Sequence, residues 1–248
     1  MEFVRALRAL VRGVVFLGMI WLAWIEYALR VAHLDSPRKR PAQAEWLHGW
    51  SKRIMRLLSV SLEIRGAPPV SGMIAANHLS YLDVFVLSAV VPCVFVAKSE
   101  IADWPVFGIC ARCCGAVFVD RERRAGVAPA AEQIRAALAD GVVVVLFPEG
   151  TSSNGSSILP FKPALFAPAV ELACPVTATA LHYTLRDGSA ADEICWADDP
   201  LAPHAFNLLG KPALGARLSF AEARPAGADR KALARELHEA VSTMHSRA

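Results

Sequence analysis

The hydrophobic pattern changes character twice along the chain. Over residues 3–32 apolar positions recur with helical spacing, and Arg5, Arg8 and Arg12 stand opposite Val4, Leu7, Val11 and Val15. The stretch 13–25 carries no charge and holds Trp21 and Trp24; Glu26 and Arg30 follow four apart, acid first, the better order for a helical ion pair. Beyond the polar break DSPRKRP a second helix is predicted over 44–58. One side carries Trp46, Leu47, Trp50, Ile54, Leu57 and Leu58, the other His48, Lys52, Arg53 and Arg56. From about residue 61 short apolar runs alternate with helical stretches. Strands are predicted over 62–65, 73–76, 94–97, 116–119, 142–147, 176–181 and 216–220, and helices over 81–90, 101–113, 127–139, 164–172 and 228–246. The run VVVVLF at 142–147 is short and rich in β-branched residues, as in a strand buried on both faces. Strands alternating with helices make an α/β fold, a largely parallel central sheet flanked by helices, with no internal repeat.

Composition adds a membrane. Hydrophobic residues make up 54% of the chain and the mean hydropathy is +0.36, high for a soluble domain. The uncharged stretch 13–25 is shorter than the ~18–20 apolar residues of a comfortable span. A transmembrane helix with snorkelling arginines and a helix lying within one leaflet both fit, the amphipathic start suiting the second. No A-x-A-like cleavage site follows the apolar run, which argues against a removed secretory leader. The second helix suits either core packing or lipid contact; Trp46 and Trp50 one turn apart beside lysine and arginine tilt the reading toward the interface. The expected organisation is therefore an N-terminal two-helix membrane anchor over 1–60 and an α/β domain over 61–248, held at a membrane's cytoplasmic face. Basic residues flank both ends of the first helix, so the positive-inside rule gives no orientation. A net charge of +3 suits an anionic surface or a phosphorylated substrate and is too weak for nucleic acid. The six cysteines sit mostly within apolar runs, as reduced thiols do, and the single C-x-x-C lacks a second pair at zinc spacing, so no metal is expected.

Candidate chemistry follows from the strand ends, because ligands of open α/β sheets gather beyond the carboxyl termini of the strands. After GMIAA comes NHLSYLD, with His78 five positions before Asp83. That interval is wrong for one helix face, so the two meet only if His78 lies on a loop and Asp83 in the first turn of the next helix. Such a contact fixes the imidazole tautomer and raises its basicity, as a general base requires. After CVFVA comes Lys98, after GAVFV comes Asp120-Arg121, and after VVVVLF comes PEGTSSNG with Glu149, Gly150 and Thr151. A histidine, two cations and a glutamate on one rim suffice to hold a phosphate and deprotonate a hydroxyl. A serine hydrolase would want G-x-S-x-G, which GTSSN breaks at its last position. A non-catalytic lipid binder would not need the base.

These residues resemble the glycerolipid acyltransferase family, which includes the 1-acyl-glycerol-3-phosphate acyltransferases. The family's N-H-x-x-x-x-D block is met by Asn77, His78 and Asp83, G-x-x-F-[IV]-x-R by Gly115, Phe118 and Arg121, and F-P-E-G-T-[RS]-S by Phe147 to Ser153. FVAK-x-E and a later FK-x-x-x-F (Phe161, Lys162, Phe166) also match. The fourth block departs: CPVTATAL keeps Pro175 and lacks the second proline, which bears on acceptor or acyl specificity. The resemblance implies transfer of a fatty acyl group from acyl-CoA or acyl carrier protein, as donor substrate and without a further cofactor, to a lysolipid hydroxyl. It implies His78 as general base braced by Asp83, Arg121 on the acceptor's phosphate, Glu149, Gly150 and Thr151 at its polar head, and Lys98 as a further phosphate or donor contact. Lysophosphatidate is the expected acceptor and lyso-ornithine lipid the alternative. The stretch ICWADDPLAPHAFNLLGKP is similar to an aromatic-D-D/G-D-x-x-x-x-H segment of several bacterial relatives, and its Asp198, Asp199 and His204 receive no role from it.

Overall fold

The computed structural model describes residues 2–104, 107–119, 124–196 and 200–247. It opens with α1 (Glu2–Arg30) and α2 (Lys39–Leu57). Next come β1 (Val60–Arg65), β2 (Met73–Ala76), α3 (Leu82–Val90), β3 (Cys93–Lys98), α4 (Phe107–Cys113), β4 (Val117–Val119) and α5 (Arg124–Ala139). The second half holds β5 (Val143–Leu146), α6 (Ala167–Glu171), β6 (Pro175–Thr184), α7 (Ala190–Glu193), α8 (Leu201–Gly210), β7 (Leu214–Phe220), β8 (Arg224–Pro225) and α9 (Arg230–Ser246).

The sheet runs β1-β7-β6-β2-β5-β3-β4, with β8 added on β6. β6 pairs antiparallel with β7 and β8, and the other described pairings are parallel. Every residue of the central strands β2 and β5 is buried, because helices cover both faces. On one face Ile74, Val143, Val145 and Leu181 pack with Leu47, Ile54 and Met55 of α2 and Leu82, Val86 and Leu87 of α3. On the other, Met73, Val144 and Leu146 pack with Ile134 of α5, Ala169 of α6, and Leu233, Leu237 and Val241 of α9.

Several expected boundaries shift for local reasons. α2 begins five residues before the expected 44 because Pro41 lies in its first turn, where a missing N–H is harmless. The helix expected over 101–113 is instead a 3₁₀ turn (Ser99–Asp103) followed by α4. Between them Trp104, the residue before a proline, is extended at φ −70°, ψ 130°. The helix expected over 164–172 likewise starts as a 3₁₀ turn (Pro163–Phe166) before α6. β6 runs three residues past the expected 181, and α8 is an unanticipated helix.

Among the described residues, α1 is the one helix long and apolar enough to cross a membrane. Its arginines turn inward. Arg8 donates to Gly210 O (2.9 Å), and Arg12 to Leu209 O (3.2 Å), to Lys211 O and to Ser59 Oγ (2.9 Å), which satisfies carbonyls at the carboxyl end of α8. Arg5 pairs with Glu193 at 3.0 Å. Toward its other end, α1 receives the Trp46 indole N–H at Ala23 O (3.1 Å) and that of Trp50 at Glu26 Oε2 (2.9 Å). The tryptophans read as interfacial thus fasten α2 to α1, and α2 buries Leu47, Trp50, Ile54 and Met55. Contacts from Arg5, on Glu193, to Tyr27, on Gln43 of α2, lay α1 along α8 and α2 for about 33 Å. Its outer side exposes Phe3, Leu10, Val14, Leu17, Trp21 and Leu29, each by more than half.

Candidate active site

β2 delivers Asn77 and His78 to the carboxyl rim of the sheet, between the end of β5 and the longer strand β6. Asn77 continues the ladder with its side chain: Nδ2–H donates to Leu181 O (3.0 Å) and Oδ1 accepts from Leu181 N (2.7 Å). The backbone then turns, and Asp83 enters in the first turn of α3, fully buried. Its Oδ2 accepts from Leu79 N (2.7 Å), Ser80 N (3.0 Å) and His78 Nδ1 (2.7 Å), while Oδ1 accepts from the Tyr183 hydroxyl (2.7 Å). Every neighbour of this carboxylate is a donor, so the imidazole proton sits on Nδ1 and the lone pair is on Nε2. Nε2 makes no hydrogen bond within the described residues. The ring stacks on Phe147, with centroids 4.0 Å apart and planes 14° from parallel, and stays about a quarter open (23% side-chain exposure). The phenol of Tyr183 is held far above its ordinary pKa by burial and by the adjacent Asp83 charge, so it remains a donor.

Glu149 is buried beneath the same loop. Oε1 accepts from His78 N and Oε2 from Leu159 N, both at 2.8 Å. Burial raises its carboxyl pKa. Each oxygen thus holds a backbone amide, joining the His78 turn to the loop after β5. That loop bends at Gly150, where φ is +82°, a conformation glycine adopts without strain. Ser153 N then donates to His78 O at 2.9 Å. Thr151 is exposed, and Lys98 is exposed at the end of β3 on the same rim. Arg121, Asp198 and Asp199 lie outside the described residues. His204 is buried on α8.

The structure thus brings His78, Asp83 and Glu149 into one hydrogen-bonded unit, with Thr151 two residues beyond Glu149 and Lys98 on the same rim two strands from β2. Three roles escaped sequence reasoning: the Tyr183 donor, the Phe147 ring stacked on His78 and the bridging amide of Asn77. Tyr183 follows Leu181 on the same face of β6, and a tyrosine ending an apolar alternation was the available signal. A cleft of about 350 Å³ lined by Pro41, Val70, Pro92 and Val142 sits at the opposite, amino ends of the strands. All six cysteines are free, and burial pushes the Cys93 thiol up to about 12. Among the described residues no group of three or more His, Cys, Asp or Glu side chains is placed to hold a metal ion.

Residues 64–182 match the Acyltransferase family. The 1-acyl-sn-glycerol-3-phosphate acyltransferase of Neisseria meningitidis is 35% identical over 193 residues, 76% of each chain. The chain belongs to the glycerolipid acyltransferase family. Two further acyltransferases, both named lyso-ornithine lipid O-acyltransferase, are comparably similar. That of Rhizobium meliloti is 35% identical over 81% of this chain and 75% of its own, and that of Pseudomonas aeruginosa 32% identical over 92% and 88%. The crystal structure of the 1-acyl-sn-glycerophosphate acyltransferase of Thermotoga maritima shares the fold, with TM-score 0.69 and 20% identity over 98% of this chain and 97% of that one. In this acyltransferase the NHLSYLD and FPEGTSS blocks meet through the bonds of Glu149 and Ser153 to His78.

Proposed function

We propose that this acyltransferase moves a fatty acyl group from an acyl-CoA or acyl carrier protein thioester to the free hydroxyl of 1-acyl-glycerol-3-phosphate, giving phosphatidate. The observation that carries the reading is the 2.7 Å bond from His78 Nδ1 to Asp83, which leaves Nε2 as a proton acceptor at a partly open rim. The acceptor hydroxyl donates its proton to Nε2 as its oxygen attacks the thioester carbonyl. Asp83 stabilises the imidazolium so formed. The tetrahedral intermediate collapses by breaking the C–S bond, and the departing thiolate recovers the proton from His78. The two substrates suffice for this sequence, and no acyl-enzyme forms because the acceptor's own oxygen is the nucleophile. Arg121 takes the acceptor's phosphate in the two-pronged geometry that lysine lacks. Lys98, at the end of β3, lines its polar head with Gly150 and Thr151, while Glu149 holds the loop that carries the latter two.

The second reading, lyso-ornithine lipid as acceptor, is favoured by the Pseudomonas aeruginosa relative, which matches 92% of this chain. Membrane attachment is through α1 lying in the plane of one leaflet on the cytoplasmic side, because the long contact of α1 with the domain leaves only its outer, apolar side for lipid. The deciding assay offers the purified full-length chain one acyl-CoA with lysophosphatidate or lyso-ornithine lipid in mixed micelles. Turnover of lysophosphatidate that His78→Ala abolishes is expected. Thioester cleavage at an equal rate without any acceptor would overturn acyl transfer in favour of hydrolysis.

A further inference from the structure

Trp196 and His204, to which the chemistry above gives no task, pack against the back of the catalytic loop. Trp196 N donates to Leu79 O at 2.7 Å, and its ring meets Tyr81 edge-on, with centroids 5.9 Å apart. The Tyr81 hydroxyl and His204 Nδ1 share a 3.0 Å hydrogen bond, with the two rings crossing at 83°. His204 lies at the start of α8 and is buried; Tyr81 stands between Ser80, whose amide Asp83 holds, and the first residue of α3. Burial raises the Tyr81 pKa well above the ordinary phenol value, so its hydroxyl keeps its proton across the working pH range.

Asp83 ties His78, Leu79 and Ser80 into a compact turn from within. Apart from the Tyr183 bond, those partners lie inside the turn itself, so they shape it without aiming it. Its attitude on the rim is set from two flanks: Glu149 and Ser153 grip His78 on one, and Trp196 and His204 grip Leu79 and Tyr81 on the other. A misplacement of about 1 Å at a general base costs up to about 100-fold in rate, so the second flank bears on turnover as well as on packing.

We propose that His204 is a positioning residue of the acyl transfer, acting through Tyr81 to aim the Nε2 atom of His78. The proposal rests on the reading of His78 as the base. Because Nδ1 makes the bond to Tyr81, asparagine, whose side-chain polar atoms occupy the same distance from Cβ, keeps that contact, and leucine removes it. Initial rates are measured for the full-length chain and for His78→Ala, His204→Leu, His204→Asn, Tyr81→Phe and the double variant Tyr81→Phe/His204→Leu. The acceptor is whichever of lysophosphatidate and lyso-ornithine lipid the unaltered chain turns over. His204→Leu and Tyr81→Phe are each expected to lower kcat about 10-fold with KM within about twofold. The double variant is expected to be no worse than the poorer single, since the hydroxyl–imidazole bond is lost only once, and His204→Asn to retain most of kcat. Single variants within twofold of the unaltered kcat, losses that multiply in the double, or an asparagine variant as poor as leucine would each overturn the proposal. Activity surviving His78→Ala would instead overturn the base assignment, so the two failures are distinct.

Discussion

The proton-accepting nitrogen of His78 is selected by its surroundings. Asp83 is bonded on both oxygens by donors alone, and the ring proton completes that set at Nδ1. Asp83→Asn would place a donor against donors and favour the wrong tautomer, so kcat is expected to fall at least about 100-fold with KM little changed, checked by steady-state kinetics. Glu149 makes a different kind of demand, because its two oxygens serve two separate amides. Glutamine offers one acceptor for both, leaving one buried N–H without a partner at a cost of about 1–3 kcal/mol. Glu149→Gln is therefore expected to lower the urea midpoint and to reduce kcat, read by equilibrium unfolding alongside the rate. Retention of both values would remove the bracing role. The His78–Asp83 contact was legible from a five-residue interval that only a loop-to-helix turn can close. The Tyr183 donor was not, since it reaches Asp83 across 100 positions of chain.

At the scale of elements, β2 and β5 were readable because strands buried on both faces need uninterrupted apolar residues. α8 was not readable because Pro200, Pro203 and Pro212 make its neighbourhood look like a loop. Only in the structure does Pro203 fall in the first turn, where its missing N–H is tolerated. α9 holds the loop after β5 from above: His238 Nε2–H donates to Ile158 O (3.1 Å) and His245 Nε2–H to Gly155 O (2.8 Å). Beneath it, His182 of β6 has its pKa lowered from 6.5 by burial and by neighbouring His245 and Arg217. The folded state therefore takes up this proton later than the unfolded chain does. Stability is unaffected well above pH 6.5 and falls as the pH drops through that value. Denaturant midpoints from pH 8 down to pH 5.5 are expected to decline less steeply in His182→Gln, and an unchanged slope would exclude His182 as the cause.

For the whole molecule, the join between α1 and the α/β domain decides which side of α1 is open to lipid. The two-helix anchor inferred from tryptophans and basic residues gives way to one exposed helix backed by another, because the Trp46 and Trp50 indoles satisfy acceptors on α1. Side-chain direction around a helix is invisible in a sequence until its neighbours are known. If α1 lies flat, spin labels at positions 3, 14, 21 and 29 are expected to report the same shallow depth in vesicles. A gradient of depth from one end to the other would require a span instead.

The inward turn of Arg5, Arg8 and Arg12 would set the character of adhesion to a bilayer. Cations already engaged with Glu193 and the final carbonyls of α8 add little to attraction for anionic headgroups, so a hold through α1 would draw chiefly on its oily area. Concentrated sodium chloride, which strips proteins bound by charge, should leave this one on the vesicle, and release should require detergent.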